Sequence, residues 1–175
     1  MPTTNKPESV ESDTSEAVCR WIPWLAAYTG ARFSELVRLR HEDCRRDDEG
    51  WSIALRDSDS AGPRGRTVPL HPHLIELGFG AFVDGRPPGP LFLAKENGQN
   101  ASFVKLAKTA QRASKLGARQ LRGRFVIKMR TAGATREVID MILGSAVEHN
   151  KFGFEPPLSH LRHAIEKLPR LSVDD

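Results

Sequence analysis

The apolar residues of this 175-residue chain change period twice, and those changes limit the folds open to it. From Glu16, the residues Val18, Trp21, Ile22, Leu25 and Ala26 recur at the spacing of one helix face. Trp51, Ile53 and Leu55 then alternate, as do Val68 and Leu70, which is the period of half-buried strands. The turn-forming stretch "SDSAGPRG" separates the two runs, so together they predict a hairpin. Helical spacing returns in "SFVKLAKTAQRASKL", "RQLRGRFVIKMRTAG", "TREVIDMILG" and "LSHLRHAIEKL". This order predicts an α+β fold: a mostly helical domain with a small antiparallel β-sheet.

Local signals add detail. Gly30 is expected to end the first helix and Ser34 to cap a second through "SELVRLR". "HEDCRRDDEG" reads as a polar loop, Pro72 as the start of a helix through "PHLIELGF", and "RPPGPLFLA" as a loop with a short strand. Thr135 and Gly144 bracket another helix, and Gly133 stops the one before it. Residues 1–15 are rich in Ser, Thr, Glu and Pro and are expected to be a disordered polar tail. Residues 16–171 then form one domain and 172–175 a closing tail.

Charge is distributed unevenly. The net formal charge is only +4, yet residues 95–136 carry 11 basic side chains and one acidic. Residues 1–50 carry 7 basic and 10 acidic, and residues 137–175 carry 4 and 7. A concentrated positive field between acidic flanks favours a polyanion, and nucleic acid is the expected partner. Lys105, Lys108, Arg112 and Lys115 fall on one helix face opposite Leu106 and Ala110, which reads equally as a candidate DNA-backbone stripe and as a solvated face. No apolar run approaches the ~20 residues of a membrane span, and no apolar signal-peptide core follows the N-terminus. Cys19 and Cys44 stand at no metal or redox spacing, consistent with reduced thiols in a cytoplasmic protein. His71–x–His73 and His160–x–x–His163 lack a carboxylate or thiol at ligand spacing. Neither a metal nor another cofactor is expected; His71 reads instead as a helix cap.

Several stretches occur together in an order that carries a family likeness. "YTGARFSEL" spans residues 28–36, "RTVPLHPHLIELGF" runs from Arg66 to Phe79, and "RQLRGRF" covers 119–125. "ILGS" covers 142–145, and "KFGFEPPLSHLRHAIEKL" follows. The chain resembles the catalytic domain of tyrosine recombinases, the phage-integrase family, over about residues 18–170.

That resemblance implies DNA strand cleavage by tyrosine attack on a backbone phosphorus. Two arginines grip the phosphate oxygens bidentately, a hairpin lysine protonates the departing sugar oxygen, and two histidines move protons. By motif position Arg32 and Arg122 match the two phosphate clamps, and Glu35 matches an acidic residue that orients its neighbours. The other positions are altered. Arg119 stands at the first histidine position, Ser145 at the second, and Phe152 at the nucleophile. No lysine occurs between Lys6 and Lys95, so the hairpin has none, and its basic residues are Arg56, Arg64 and Arg66. Arg64 is counted with the DNA-binding residues, whereas Arg66 belongs to "RTVPLHP" and is not taken as a displaced catalytic residue. Arginine hardly deprotonates and phenylalanine offers no oxygen. Tyr28, the one tyrosine, lies on an apolar helix face and reads as core.

The leading expectation is therefore a DNA-binding recombinase-type domain that has lost strand cleavage. A second is an active integrase domain carrying an engineered Tyr-to-Phe change at position 152. A third is a regulator that packs against other recombinase subunits through the stripe Leu161, Ile165 and Leu168. That stripe would otherwise cover its own core.

Overall fold

A computed structural model describes residues 8–56, 65–92, 95–96, 99–100, 103–145 and 157–172. Helix α1 (Glu8–Thr29) is the central element, and helices α5 (Phe103–Ala113) and α6 (Ala118–Thr131) pack along it. Its face Val18, Trp21, Ile22, Leu25 and Ala26 is buried, as the helical spacing predicts. The helix begins at Glu8, so it takes in part of the acidic stretch expected as a tail. Gly30 ends the helix at φ 63°, and a Cβ there would lie 2.5 Å from both Leu143 Cδ2 and Phe125 Cδ1. Glycine is required on both counts, and its absent side chain lets α6 and α7 (Arg136–Leu143) close on the end of α1.

Helix α2 (Phe33–Leu36) follows at once. Ser34 is not its cap: Arg32 holds the N-cap position, and the Glu35 carboxylate accepts the Arg32 N–H at 2.6 Å. The acceptor comes from inside the first turn because Glu35 is buried there, while Ser34 is exposed.

The hairpin is present and carries a third strand. Strand β2 (Gly50–Arg56) pairs antiparallel with β3 (Gly65–Pro69) on one side and with β1 (Cys44–Asp47) on the other. The stretch expected as a polar loop thus holds a 3-10 turn at His41–Asp43 and an edge strand. Arg45, Arg46 and Asp47 face solvent, so the strand lacks the apolar alternation that reveals β2. "PHLIELGF" also divides, into α3 (Pro72–Glu76) and α4 (Phe79–Asp84), because Gly78 turns the backbone to φ 98°. His71 caps α3 as expected, accepting the His73 N–H at 3.0 Å. The strand expected in "RPPGPLFLA" appears as one bridge, Arg40 to Pro90. A small ribbon of β4 (Lys95–Glu96) and β5 (Gln99–Asn100) comes next.

The closing helix α8 (Leu158–Glu166) lies on β3 and α7. Leu161, Ile165 and Leu168 are buried in the chain's own core, so the stripe offered to a partner subunit is already covered. Between the exposed His160 and His163, Arg162 is buried. It reaches Trp51 O at 3.3 Å and Asp47 at 3.2 and 3.3 Å, and a Gly50 Cβ would collide with it. The sequence reading passed over this residue because arginine on an amphipathic helix usually faces water.

Candidate functional site

Four elements bring their ends together beside Gly30. Arg32 stands at the start of α2 and is exposed. Arg122, one turn into α6, is half-buried and donates to Gly30 O at 2.8 Å and Leu143 O at 3.2 Å. Leu121 and Phe125 are buried on the core side of the same helix, which fixes the direction Arg122 takes. Burial pushes the Arg122 guanidinium below its ordinary range, and the nearby charges of Arg32 and Arg66 push the same way, against Glu35. The charge of Arg32 is thus felt at Arg122.

Arg66 is the member the sequence reading left out. From β3 its Nε donates to Ile142 O at 2.7 Å, while its two terminal nitrogens reach Glu35 Oε1 at 2.7 Å and Oε2 at 3.2 Å. It also lies against Gly144, where a Cβ would approach its side chain to 3.0 Å. The available signal was the pairing of a basic residue in "RTVPL" with Glu35 in "SEL". Nothing local shows that the two segments meet. Burial alone would raise the Glu35 carboxyl, but the Arg66 hydrogen bond and charge, with the Arg32 N–H and charge, hold it below the usual carboxylate value.

Arg66 and Arg122 together cap the C-terminal carbonyls of α7, Ile142 and Leu143, which have no partner within the helix. That end of α7 then turns through Gly144 at φ 73° to Ser145. Ser145 is exposed, and its hydroxyl donates to Asp140 O and Oδ1 at 3.3 and 3.2 Å. Arg119 is exposed one turn before Arg122 on α6. Arg64 and Phe152 lie outside the described residues. Tyr28 is fully buried, shares a 2.6 Å hydrogen bond with His73 Nδ1 and accepts the Leu171 N–H at 2.8 Å, so it is core.

A second basic surface lies on α5. Leu106 and Ala110 are buried, while Lys105, Lys108 and Arg112 are exposed around a shallow depression with Val104 and Thr109. Lys115 is exposed too but falls in the turn after α5, which ends at Ala113. Among the described residues, no three His, Cys, Asp or Glu side chains gather as a metal site, and no helix is long and apolar enough to cross a membrane.

Solved structures share this fold. The integrase from mycobacterium phage Brujita matches with TM-score 0.64 at 17% identity, over 99% of this chain and 63% of that one. The XerH site-specific recombinase, bound to difH substrate in a pre-cleavage complex, matches with TM-score 0.56 at 19% identity, over 83% of this chain and 48% of that one. The fold is that of a tyrosine recombinase. The XerA recombinase matches as well, with TM-score 0.52 at 19% identity, over 98% of this chain and 67% of that one. The chain thus spans between 48% and 67% of the length of these recombinases. No family model and no curated protein matches the sequence. Within the recombinase fold, Arg32, Arg66, Arg122 and Glu35 form the cluster at the end of α7, and Arg119 and Ser145 lie on the elements that bound it.

Proposed function

We propose that this is a DNA-binding domain of tyrosine-recombinase type that holds a backbone phosphate without cutting it. The observation that supports the reading is Arg122 bonded to Gly30 O and to the last carbonyl of α7, with Arg32 two residues beyond Gly30 at the start of α2. Two of the five Arg122 donors are fixed on backbone carbonyls, which sets the plane of the guanidinium. An oriented fork suits bidentate contact with phosphate oxygens. Beside it, the positions that would move protons hold Arg119 and Ser145. Arg119 adds positive charge but is a poor proton donor at any ordinary pH. Ser145 has no histidine at a matching motif position to activate it. Phe152, at the nucleophile position by sequence, has no oxygen with which to form a covalent link. The exposed basic face of α5 adds backbone contacts that do not depend on base sequence. The site-specific recombinase bound to its substrate, named above, is a precedent for DNA as the partner of this fold.

The test is a search for a covalent protein–DNA adduct on nicked and supercoiled DNA under denaturing conditions, alongside binding at low salt. Binding without an adduct is expected. An adduct would overturn the reading. Phe152→Tyr separates it from an engineered block: if this single change yields cleavage, the remaining groups are sufficient and the loss of catalysis lies at one residue. The expected outcome is no adduct, because the proton-transfer positions are replaced as well.

A further inference from the structure

We infer that Arg66 is the positioning residue of the phosphate site, setting both clamp arginines without itself gripping DNA. This rests on the phosphate-binding reading above and deepens it.

Three of the Arg66 nitrogens are engaged, two on the Glu35 carboxylate and one on Ile142 O, at 2.7 to 3.2 Å. The pair is shielded, with 16% of the Arg66 side chain and 6% of the Glu35 side chain exposed. A guanidinium committed in this way has its fork turned into the protein. Arg32 is exposed; Arg122 is partly buried, as Arg66 is, and two of its nitrogens are held on neutral backbone carbonyls rather than on a carboxylate.

The partners of Arg66 are the groups that place those clamps. Glu35 Oε2 accepts from Arg66 Nη2 and also from the Arg32 backbone N–H, so one carboxylate ties β3 to the residue that opens α2. Ile142 O, held by Arg66, is the neighbour of Leu143 O, held by Arg122. The end of α7 is therefore fixed between the two arginines, and Arg122 is fixed by it in return. Gly144 leaves the room this requires, since a Cβ there would meet Arg66 Cδ and Nη1 at 3.0 Å. Without Arg66, the Glu35 carboxylate loses its main counter-charge in a buried place, and α7 loses one of its two end caps. Arg32 and Arg122 then keep their charge but lose their common geometry.

The experiment compares Arg66→Gln, Arg32→Ala and the double variant, with Arg124→Gln as the control. DNA binding is measured by fluorescence anisotropy at several salt concentrations, below the melting temperature of each variant. The NMR signals of the arginine Nε–H groups are recorded without DNA. Arg66→Gln is expected to weaken binding about tenfold and to lower the salt slope by about one, as Arg32→Ala does. The double variant is expected to lose less than the product of the two single losses, because part of the Arg66→Gln loss is the Arg32 contact already removed. The Arg32 and Arg122 signals should shift in Arg66→Gln and stay put in Arg124→Gln. Losses that multiply in the double variant would overturn the inference, since Arg66 would then act on DNA independently. So would unchanged Arg32 and Arg122 signals. If Arg66→Gln does not fold, Arg66→Lys takes its place: one ammonium nitrogen cannot reproduce the contacts that three separate guanidinium nitrogens make with both Glu35 oxygens and Ile142 O, and the same signals must move. If the unaltered protein binds no DNA at low salt, the functional reading fails. The NMR comparison then decides the role of Arg66 alone, and unmoved signals reject it.

Discussion

Glu35 shows how much of one side chain's surroundings only the fold supplies. The family resemblance implies an orienting acid at this position; in the fold its carboxylate accepts the Arg32 N–H. The larger part of its environment is Arg66, 31 residues away, and no periodicity announces that contact. The buried pair makes Glu35 a stability group with a definite pH window. Its carboxyl sits below the ordinary value of 4.5 in the folded chain. A carboxylate depressed by folding contributes fully above its unfolded pKa and loses that contribution as pH falls through the folded one. Glu35→Gln removes the charge and keeps the shape. Near neutral pH the variant is expected to be less stable than the unaltered protein by ~2 kcal/mol, the scale of a hydrogen bond to a charged group. The gap should hold down to about pH 4.5 and close below it as the native carboxyl protonates. Urea unfolding of both proteins across pH 3 to 7 measures this, and a gap that widens in acid would show the sign to be wrong.

At the scale of elements, legibility followed the apolar pattern. Helices α1, α5, α6 and α8 and the strands β2 and β3 bury regular stripes, and each was readable from spacing. Strand β1 was not, because an edge strand needs no apolar face and "CRRD" offers none. The break between α3 and α4 depends on one glycine at positive φ, which looks from sequence like a tolerated residue inside a longer helix. Arg162 is the sharpest case. It pins α8 to the β1–β2 turn through Trp51 O and Asp47, with Glu49 Oε2 3.6 Å from its Nε. Its carboxylate partners are half exposed, so removing the arginine returns them to water and strands no buried charge. Loss of the aliphatic stem is therefore expected to outweigh loss of the ion pair. Arg162→Ala should cost ~2–3 kcal/mol through the cavity and the lost anchor, and Arg162→Met, which keeps the stem, about 1 kcal/mol. Hydrogen exchange should accelerate in α8 first. If both substitutions cost the same, the ion pair rather than packing holds the helix.

The whole molecule is organised by charge as much as by its core. The excess of basic residues in 95–136 becomes spatial, because α5 and α6 both pack on α1 and carry those residues on their outer sides. The proposed phosphate site includes Arg122 on α6, and the exposed basic residues of α5 stand on a helix packed against the same α1. A duplex held in this way releases counterions from every phosphate it contacts, so log affinity should fall linearly with log salt. Each contact contributes about 0.9 to that slope, which lets separate parts of the surface be counted. Neutralising Lys108 and Arg112 together, as Lys108→Gln and Arg112→Gln, should lower the slope by about 2 and weaken binding on every sequence alike. Lys167, beyond α8, is the control, and its change to Gln should leave the slope untouched. Two outcomes separate the surfaces. If the α5 pair changes nothing while Arg32→Ala does, DNA touches only the cluster at the end of α7. If the α5 pair and Lys167 change the slope equally, the protein binds through diffuse charge, and the clamp geometry around Glu35 and Arg66 serves the fold alone.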